Sequence, residues 1–128
     1  MSPEPRAAMS RTSAAIETER VNATAHPGSS LGLTVNNADN ELIVYVNTTQ
    51  VYDKKTENDP TFHDTVDLSS NLRRGQNSVV ILGINWGGPA HYVGQLNLDG
   101  KPLLSMTFAL PSTPNGVVAA WAADIVVS

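Results

Sequence analysis

The sequence predicts an all-β domain: a two-sheet antiparallel β-sandwich of the jelly-roll type over residues 19–128, preceded by a loose, flexible N-terminal arm over residues 1–18. Three observations predict it. Apolar residues alternate with the period of two that a half-buried strand requires, in Leu31-Gly32-Leu33-Thr34-Val35 and again at Val117, Ala119, Trp121, Ala123, Ile125 and Val127. Turn-forming clusters recur about every 8–12 residues, the spacing found between short strands in sandwiches and barrels. No segment carries a convincing helical period; a short helix over Ser13 to Arg20 is only weakly patterned.

Taken in order, the first strand is Leu31 to Val35, and the cluster Asn36-Asn37-Ala38-Asp39-Asn40 turns the chain. Glu41 to Val46 is rich in β-branched and aromatic residues, and Gln50 to Tyr52 pairs back onto it. Lys54 to Pro60 is a polar loop, Thr61 to Val66 another strand, and Asp67 to Leu72 a short helical turn or loop. Asn77 to Trp86 is almost wholly apolar, which predicts a central strand covered on both faces. Trp86-Gly87-Gly88-Pro89 ends it. Tyr92 to Leu98 and Lys101 to Leu110 flank Asp99-Gly100, a two-residue loop of the kind that closes a type I′ hairpin. On the second arm Leu104, Met106, Phe108 and Leu110 share a face. The last strand runs from Val117 to Val127, with Trp121 on its core side and Asp124 on the other, where Arg73 or Arg74 is a candidate partner.

Composition removes several function classes. The chain of 128 residues has no cysteine, so thiolate zinc sites, disulfides and cysteine nucleophiles are excluded. The net charge is −4, with seven acids between Asp39 and Asp67 against Lys54 and Lys55. Phosphate backbones and anionic lipid surfaces need clustered cations, so neither nucleic acid nor membrane is an expected partner. No apolar run reaches the length of a membrane span, and the N-terminus lacks the apolar centre of a secretory signal. The expectation is a soluble domain whose compartment stays open. The usual signatures of serine hydrolases, zinc proteases and phosphate loops are missing, so an enzyme is not expected, a glycoside hydrolase working through the acidic loop being the alternative.

One stretch is more specific. Glu41-Leu42-Ile43-Val44-Tyr45-Val46-Asn47 is followed, after the acidic loop, by Val66-Asp67-Leu68-Ser69-Ser70-Asn71-Leu72-Arg73-Arg74-Gly75-Gln76-Asn77-Ser78-Val79-Val80. This resembles the galactose-binding-domain-like jelly rolls, including the sugar-binding domains attached to β-galactosidases. In that family a strand ending Val-Tyr-Val-Asn-Gly precedes Asp-Leu-Thr, a leucine, a basic residue or proline, Gly-Glu-Asn and a valine-rich strand. Here Asp67 would cap the turn, Leu68 and Leu72 would plug the sandwich end, and Gly75 would take a left-handed conformation. Thr48 stands where the family has glycine. The resemblance implies the sandwich fold and a lectin-like, carbohydrate-binding function, or else a structural or protein-interaction module without a small-molecule ligand. Because sandwich edges tend to be paired or protected, a homo-oligomer is expected.

Two segments offer sugar-binding chemistry, which needs an aromatic face and directional polar groups. The first, Asn85 to Tyr92, supplies Asn85, Trp86, His91 and Tyr92; the other reading of Trp86 and Tyr92 is that they cap the sandwich edge. The second, Tyr52 to Asp64, supplies Asp53, Asp59 and His63, or is merely a solvated loop. Convergence of loops at one sandwich end would bring the two segments into a shared site. No cofactor is expected except a structural calcium, for which the oxygens of Asn36 to Glu41, above all Asp39 and Glu41, are the candidate ligands.

Overall fold

The computed structural model describes residues 16–57 and 59–128. They form nine strands: β1 (Glu17–Ala25), β2 (Leu31–Asp39), β3 (Glu41–Val46), β4 (Thr49–Lys55), β5 (Asp64–Asp67), β6 (Gly75–Asn85), β7 (Ala90–Leu98), β8 (Lys101–Leu110) and β9 (Gly116–Val127). A five-stranded sheet in the order β1-β9-β6-β3-β4 faces a four-stranded sheet in the order β5-β2-β7-β8. Apart from the hairpins β3–β4 and β7–β8, every connection passes from one sheet to the other. The all-β sandwich expected from the alternating pattern is therefore the fold of the chain.

The core lies between the sheets. Leu31, Leu33 and Val35 of β2, Leu42, Val44 and Val46 of β3, Val79 and Ile81 of β6 and Trp121, Ala123 and Ile125 of β9 all point into it. Tyr92 is its largest fully buried side chain, and its ring approaches those of Phe108 and Trp121 with centroids 6.0 and 6.1 Å apart. Leu68 is buried and Leu72 half-buried at the sandwich end, after Asp67 Oδ1 accepts the Ser69 N–H at 2.9 Å. Asp99 and Gly100 have φ of 51° and 78°, so the β7–β8 hairpin closes as the Asp-Gly dipeptide requires.

The β3–β4 hairpin turns without a glycine. Asn47 and Thr48 both take positive φ, 51° and 68°. Asn47 anchors the turn: its Nδ2 donates to Asn77 Oδ1 and its Oδ1 accepts the Ser78 N–H, both at 2.9 Å.

Several expected elements are corrected. The expected arm boundary at residue 18 falls inside β1, and Ile16 to Arg20, the described part of the expected helix, is not helical, Glu17 to Arg20 being strand; residues 1–15 of the arm lie outside the described residues. β1 is polar and sits at an edge, and it gains its ladder by running parallel to β9, Glu17 opposite Ala119 through Ala25 opposite Val127. The Asn36–Asn40 cluster is not a free turn, because β2 continues to Asp39 past a bulge between Val35 and Asn37 and stays paired with β7. The expected strand from Thr61 begins only at Asp64. Asp59 closes a local turn first, accepting the Thr61 N–H at 2.9 Å.

In β9 a register shift opposite Gly83/Ile84 turns Val117 outward, 38% exposed, and buries Val118 in its place. Leu110, at the end of the expected apolar face of β8, is 44% exposed. Asp124 pairs with neither Arg73 nor Arg74; Arg20 Nε and Nη2 grip its carboxylate at 2.8 and 3.1 Å. Finally, β6 is central within its sheet but covered on one side only. Among the described residues no third layer lies over Val80 and Leu82, which are half-buried beside Ile43 and Tyr45 of β3 and Ala120 and Ala122 of β9.

Candidate functional site

The site forms where the end of β6 meets the start of β3. Pairing of Glu41 with Ile84 sets Asn40 beside the Trp86–Gly88 loop. Asn40 Oδ1 accepts the backbone N–H groups of Trp86 and Gly87 at 2.6 and 3.1 Å. Asn85, fully buried, ties the loop from below through Nδ2, which donates to Gly88 O at 3.2 Å and to Thr113 O at 2.9 Å. Trp86 then projects outward with 57% of its surface exposed, yet its Nε1 donates to Glu41 Oε1 at 2.8 Å. The indole is thus fixed at one edge while its face stays open.

Glu41 is only 5% exposed. It lies opposite Lys55 and on the same outer face of the sheet as Asp53, which is opposite Ile43. A hydrogen bond between the two carboxyl groups holds Glu41 below the usual glutamate range against the opposing effect of burial, with the Trp86 N–H and the Lys55 charge adding to it. The same hydrogen bond pushes Asp53 above the usual aspartate range. The two carboxyl groups therefore titrate as a pair, with Glu41 the member whose charged form the indole N–H and Lys55 favour.

Beside the indole is a hollow of about 320 Å³ lined by Asn40, Lys55, Thr56, Glu57 and Trp86. It joins the Trp86 loop to the acidic segment, so the two expected segments do meet, through Trp86 on one side and, on the other, Lys55, Thr56 and Glu57 rather than Asp53, Asp59 or His63. Lys55 supplies a cation and Glu57 an anion around an exposed aromatic face, while the Thr56 hydroxyl is engaged within the protein, donating to Asn37 Oδ1 at 3.0 Å and accepting the Ala38 N–H at 3.1 Å. Asn40, Lys55, Thr56 and Glu57 were missed as a set because only the β3–β4 and β3–β6 registers bring them to Trp86.

The other expected site residues are placed elsewhere. Tyr92 is corrected: it has no exposed surface, its hydroxyl donates to Ile84 O at 2.7 Å, and its ring has no face open to a ligand. Asn85 likewise acts from beneath the loop. Asp59 is exposed but spends one oxygen on Thr61, whose N–H and hydroxyl hold its acidity above the ordinary, that is, its pKa below the aspartate range. His63 Nδ1 lies 2.6 Å from Asn36 Oδ1, and neither His63 nor Asp59 lines the hollow. His91 Nδ1 lies 2.9 Å from Asn37 Nδ2, on the other sheet, beside a separate hollow of about 300 Å³ with Asp39, Pro89, Leu110 and Pro111.

The oxygens proposed for calcium are dispersed. Asn36 faces His63, Asn37 faces His91 and Thr56, Asp39 accepts from Asn40, and Glu41 accepts from Trp86. Among the described residues no group of three or more His, Asp or Glu side chains converges, and Asp39 and Glu41 are hydrogen-bonded to different partners. Among the described residues, no helix is long and apolar enough to cross a membrane.

The fold defines the chain as a two-sheet, antiparallel-rich β-sandwich with an exposed, anchored tryptophan at one end. Comparisons with protein-family models, with curated proteins and with solved structures return no match for it.

The carboxyl pair is expected to make the indole a reporter of pH. As pH falls through the lowered Glu41 titration, the indole N–H loses its charged acceptor; as pH rises through the raised Asp53 titration, the pair acquires a second negative charge. Trp86 emission is expected to change in two steps, one below the ordinary glutamate value and one above the ordinary aspartate value, while buried Trp121 supplies a constant background. Asp53→Asn should keep the lower step and abolish the upper one in a fluorescence titration. In stability terms, the Glu41 contribution is present above its unfolded pKa and disappears as pH falls through the folded one, whereas the Asp53 contribution is present at low pH and disappears as pH rises through its raised value.

Proposed function

We propose that the chain is a carbohydrate-binding, lectin-like module that stacks a sugar ring on Trp86 and hydrogen-bonds its hydroxyls from Lys55 and Glu57. One observation carries this reading: an aromatic ring that is 57% exposed is nonetheless held in a single orientation, by Glu41 at its N–H and by Asn40 at its backbone. Leaving a tryptophan in water forgoes about 2 kcal/mol or more of burial. Fixing it beforehand removes the ordering cost that a free rotamer would impose on binding. The adjoining hollow, with its mixed polar lining, suits a hydroxyl-rich ligand with an apolar face. The resemblance in residues 41–80 points the same way.

A hydrolytic reading has less support, since the two carboxyl groups nearest the indole are hydrogen-bonded to each other. A retaining glycosidase spaces its pair by about 5 Å or more around the sugar. The protein-interaction reading, a homo-oligomer without small ligand, is favoured by the half-buried apolar strip of Ile43, Tyr45, Val80 and Leu82 on the outer sheet face.

The test is a titration of tryptophan emission with a panel of mono- and oligosaccharides. At least one sugar is expected to shift the emission, and Trp86→Ala to weaken its binding, read by calorimetry, by ten-fold or more, equivalent to about 1.4 kcal/mol. The circular dichroism of that variant should be unchanged, because the side chain makes no core contact. Equal affinity of the variant, or an emission indifferent to every sugar, would overturn the proposal. A solution mass above 13.6 kDa in the second case would favour the protein-interaction reading.

A further inference from the structure

A second concave region lies on the outer face of the five-stranded sheet, at the opposite end of β6. Register places Asn22 (β1), Asp124 (β9) and Ser78 (β6) in one cross-strand row, and Thr24, Val126 and Gln76 in the next. All six alternate out from the core. Strands are spaced about 4.8 Å apart and same-face neighbours on one strand about 7 Å, so the two rows span roughly 10 by 7 Å. With Arg73 and Asn47 they line a hollow of about 660 Å³, some twice the volume of the one beside Trp86 at about 320 Å³.

Its base is rigid. Asn77, 3% exposed, accepts the Arg73 N–H and donates to Arg73 O, at 2.9 and 2.8 Å, and also accepts from Asn47. The backbone from which the Arg73 side chain springs is therefore held at both its polar atoms. Above the base, the side chains of Asn22, Thr24, Gln76 and Ser78 have no hydrogen-bond partner among the described residues. Asp124 is neutralised by Arg20. Arg73 Nε donates to Gln76 O at 3.3 Å, which leaves its two terminal nitrogens to face the hollow. Among the described residues Arg73 makes no ion pair, so it is a local cation in a chain of net charge −4.

We propose that this hollow binds an acidic oligosaccharide, with Arg73 taking a uronate carboxylate and the two rows taking hydroxyls. Amide and hydroxyl side chains both donate and accept, as sugar hydroxyls do. A guanidinium matches a carboxylate through two parallel N–H donors. No aromatic ring lines the hollow, so recognition rests on hydrogen bonds and charge rather than stacking. A peptide would instead seek an open strand edge or apolar side-chain pockets, and this surface is a polar sheet face. The site does not rest on the Trp86 reading: nine residues of β6 separate Gln76 from Asn85, about 30 Å at 3.3 Å per residue.

The test is a nitrogen–proton correlation NMR titration of the full chain with trigalacturonate, with neutral galactotriose and with sodium phosphate, at constant ionic strength. Trigalacturonate is expected to move the signals of Asn22, Thr24, Gln76 and Ser78 with a Kd on the order of 1 mM. Arg73→Gln should weaken it five-fold or more, Asn22→Ala should weaken it to a lesser degree, and Trp86→Ala should leave it unchanged, which separates this site from the other. Both Arg73 and Asn22 are exposed, so near-ultraviolet circular dichroism should match the parent. No shift at those four residues, equal binding by Arg73→Gln, or the same shifts from phosphate alone would overturn the proposal.

Discussion

Replacing Tyr92 with alanine is expected to cost about 3–5 kcal/mol of folding free energy, enough to leave a domain of ordinary stability marginal. The side chain is fully buried and fills the space between the sheets against Phe108 and Trp121. It also interlocks with the opposing sheet: a Cβ at Gly83 would meet its Cε2 at 2.9 Å, so the ring occupies room that only glycine leaves. Neither sheet can collapse into the void without moving backbone. Tyr92→Phe keeps the ring and loses only the bond to Ile84 O, for an expected cost of about 1–2 kcal/mol. Burial, with the Asp39 charge second, pushes the phenol far above its usual range, so it stays neutral and neither cost should vary with pH in the neutral region. Urea unfolding of the two variants checks this. If Tyr92→Ala instead retained full stability and lost only sugar binding, the residue would belong to the site after all.

Tyr92 also shows how far the sequence can be read. On β7 the even positions Ala90, Tyr92, Gly94 and Leu96 are buried, while His91, Val93 and Gln95 are half-buried. Alternation alone made either face a candidate, because Val93 and the glycine blur the contrast, and proximity to Trp86 grouped Tyr92 with the loop. The hairpin at Asp99-Gly100, the inward Trp121 and the alternating β2 were legible because each depends on local chemistry: a turn that needs positive φ, or a strict period of two. β1 was not, since Glu17 to Ala25 carries few apolar residues and its partner β9 lies about a hundred residues away in the chain. The bulges were not either, and the shift opposite Gly83/Ile84 alone decides that Val118 rather than Val117 is inside. At the site, Trp86 was legible as an unusual residue at a strand end. Its anchorage was not, for Asn40 and Glu41 reach it only through the pairing of β3 with β6.

Asn77 carries the second large effect. Its side chain is buried and joins four segments: Nδ2 donates toward Arg73 O, Gly75 O and Ile125 O at 2.8, 3.2 and 3.2 Å, and Oδ1 accepts from Arg73 N and Asn47 Nδ2, both at 2.9 Å. Asn77→Ala removes the acceptor of the part-buried Arg73 N–H and a donor to the buried Ile125 carbonyl, together with the tie to the Asn47 turn, and is expected to cost about 3 kcal/mol in urea unfolding. Asn77→Asp separates hydrogen bonding from shape. The acceptor oxygen survives, but the atom replacing Nδ2 now faces three carbonyl oxygens. An ionised carboxylate there is repelled by all of them and poorly solvated, so its folded pKa must rise above the unfolded value. The stability of this variant is therefore expected to come nearest the parent at low pH, where the protonated acid can donate to one carbonyl, and to fall as pH rises through that raised pKa. Asn77→Ala has no such group and should keep the pH dependence of the parent. Parallel curves for the two variants would mean that the amide fills space rather than bonding. A loss confined to Asn77→Asp at neutral pH would mean that the alanine site finds water to replace what the amide supplied.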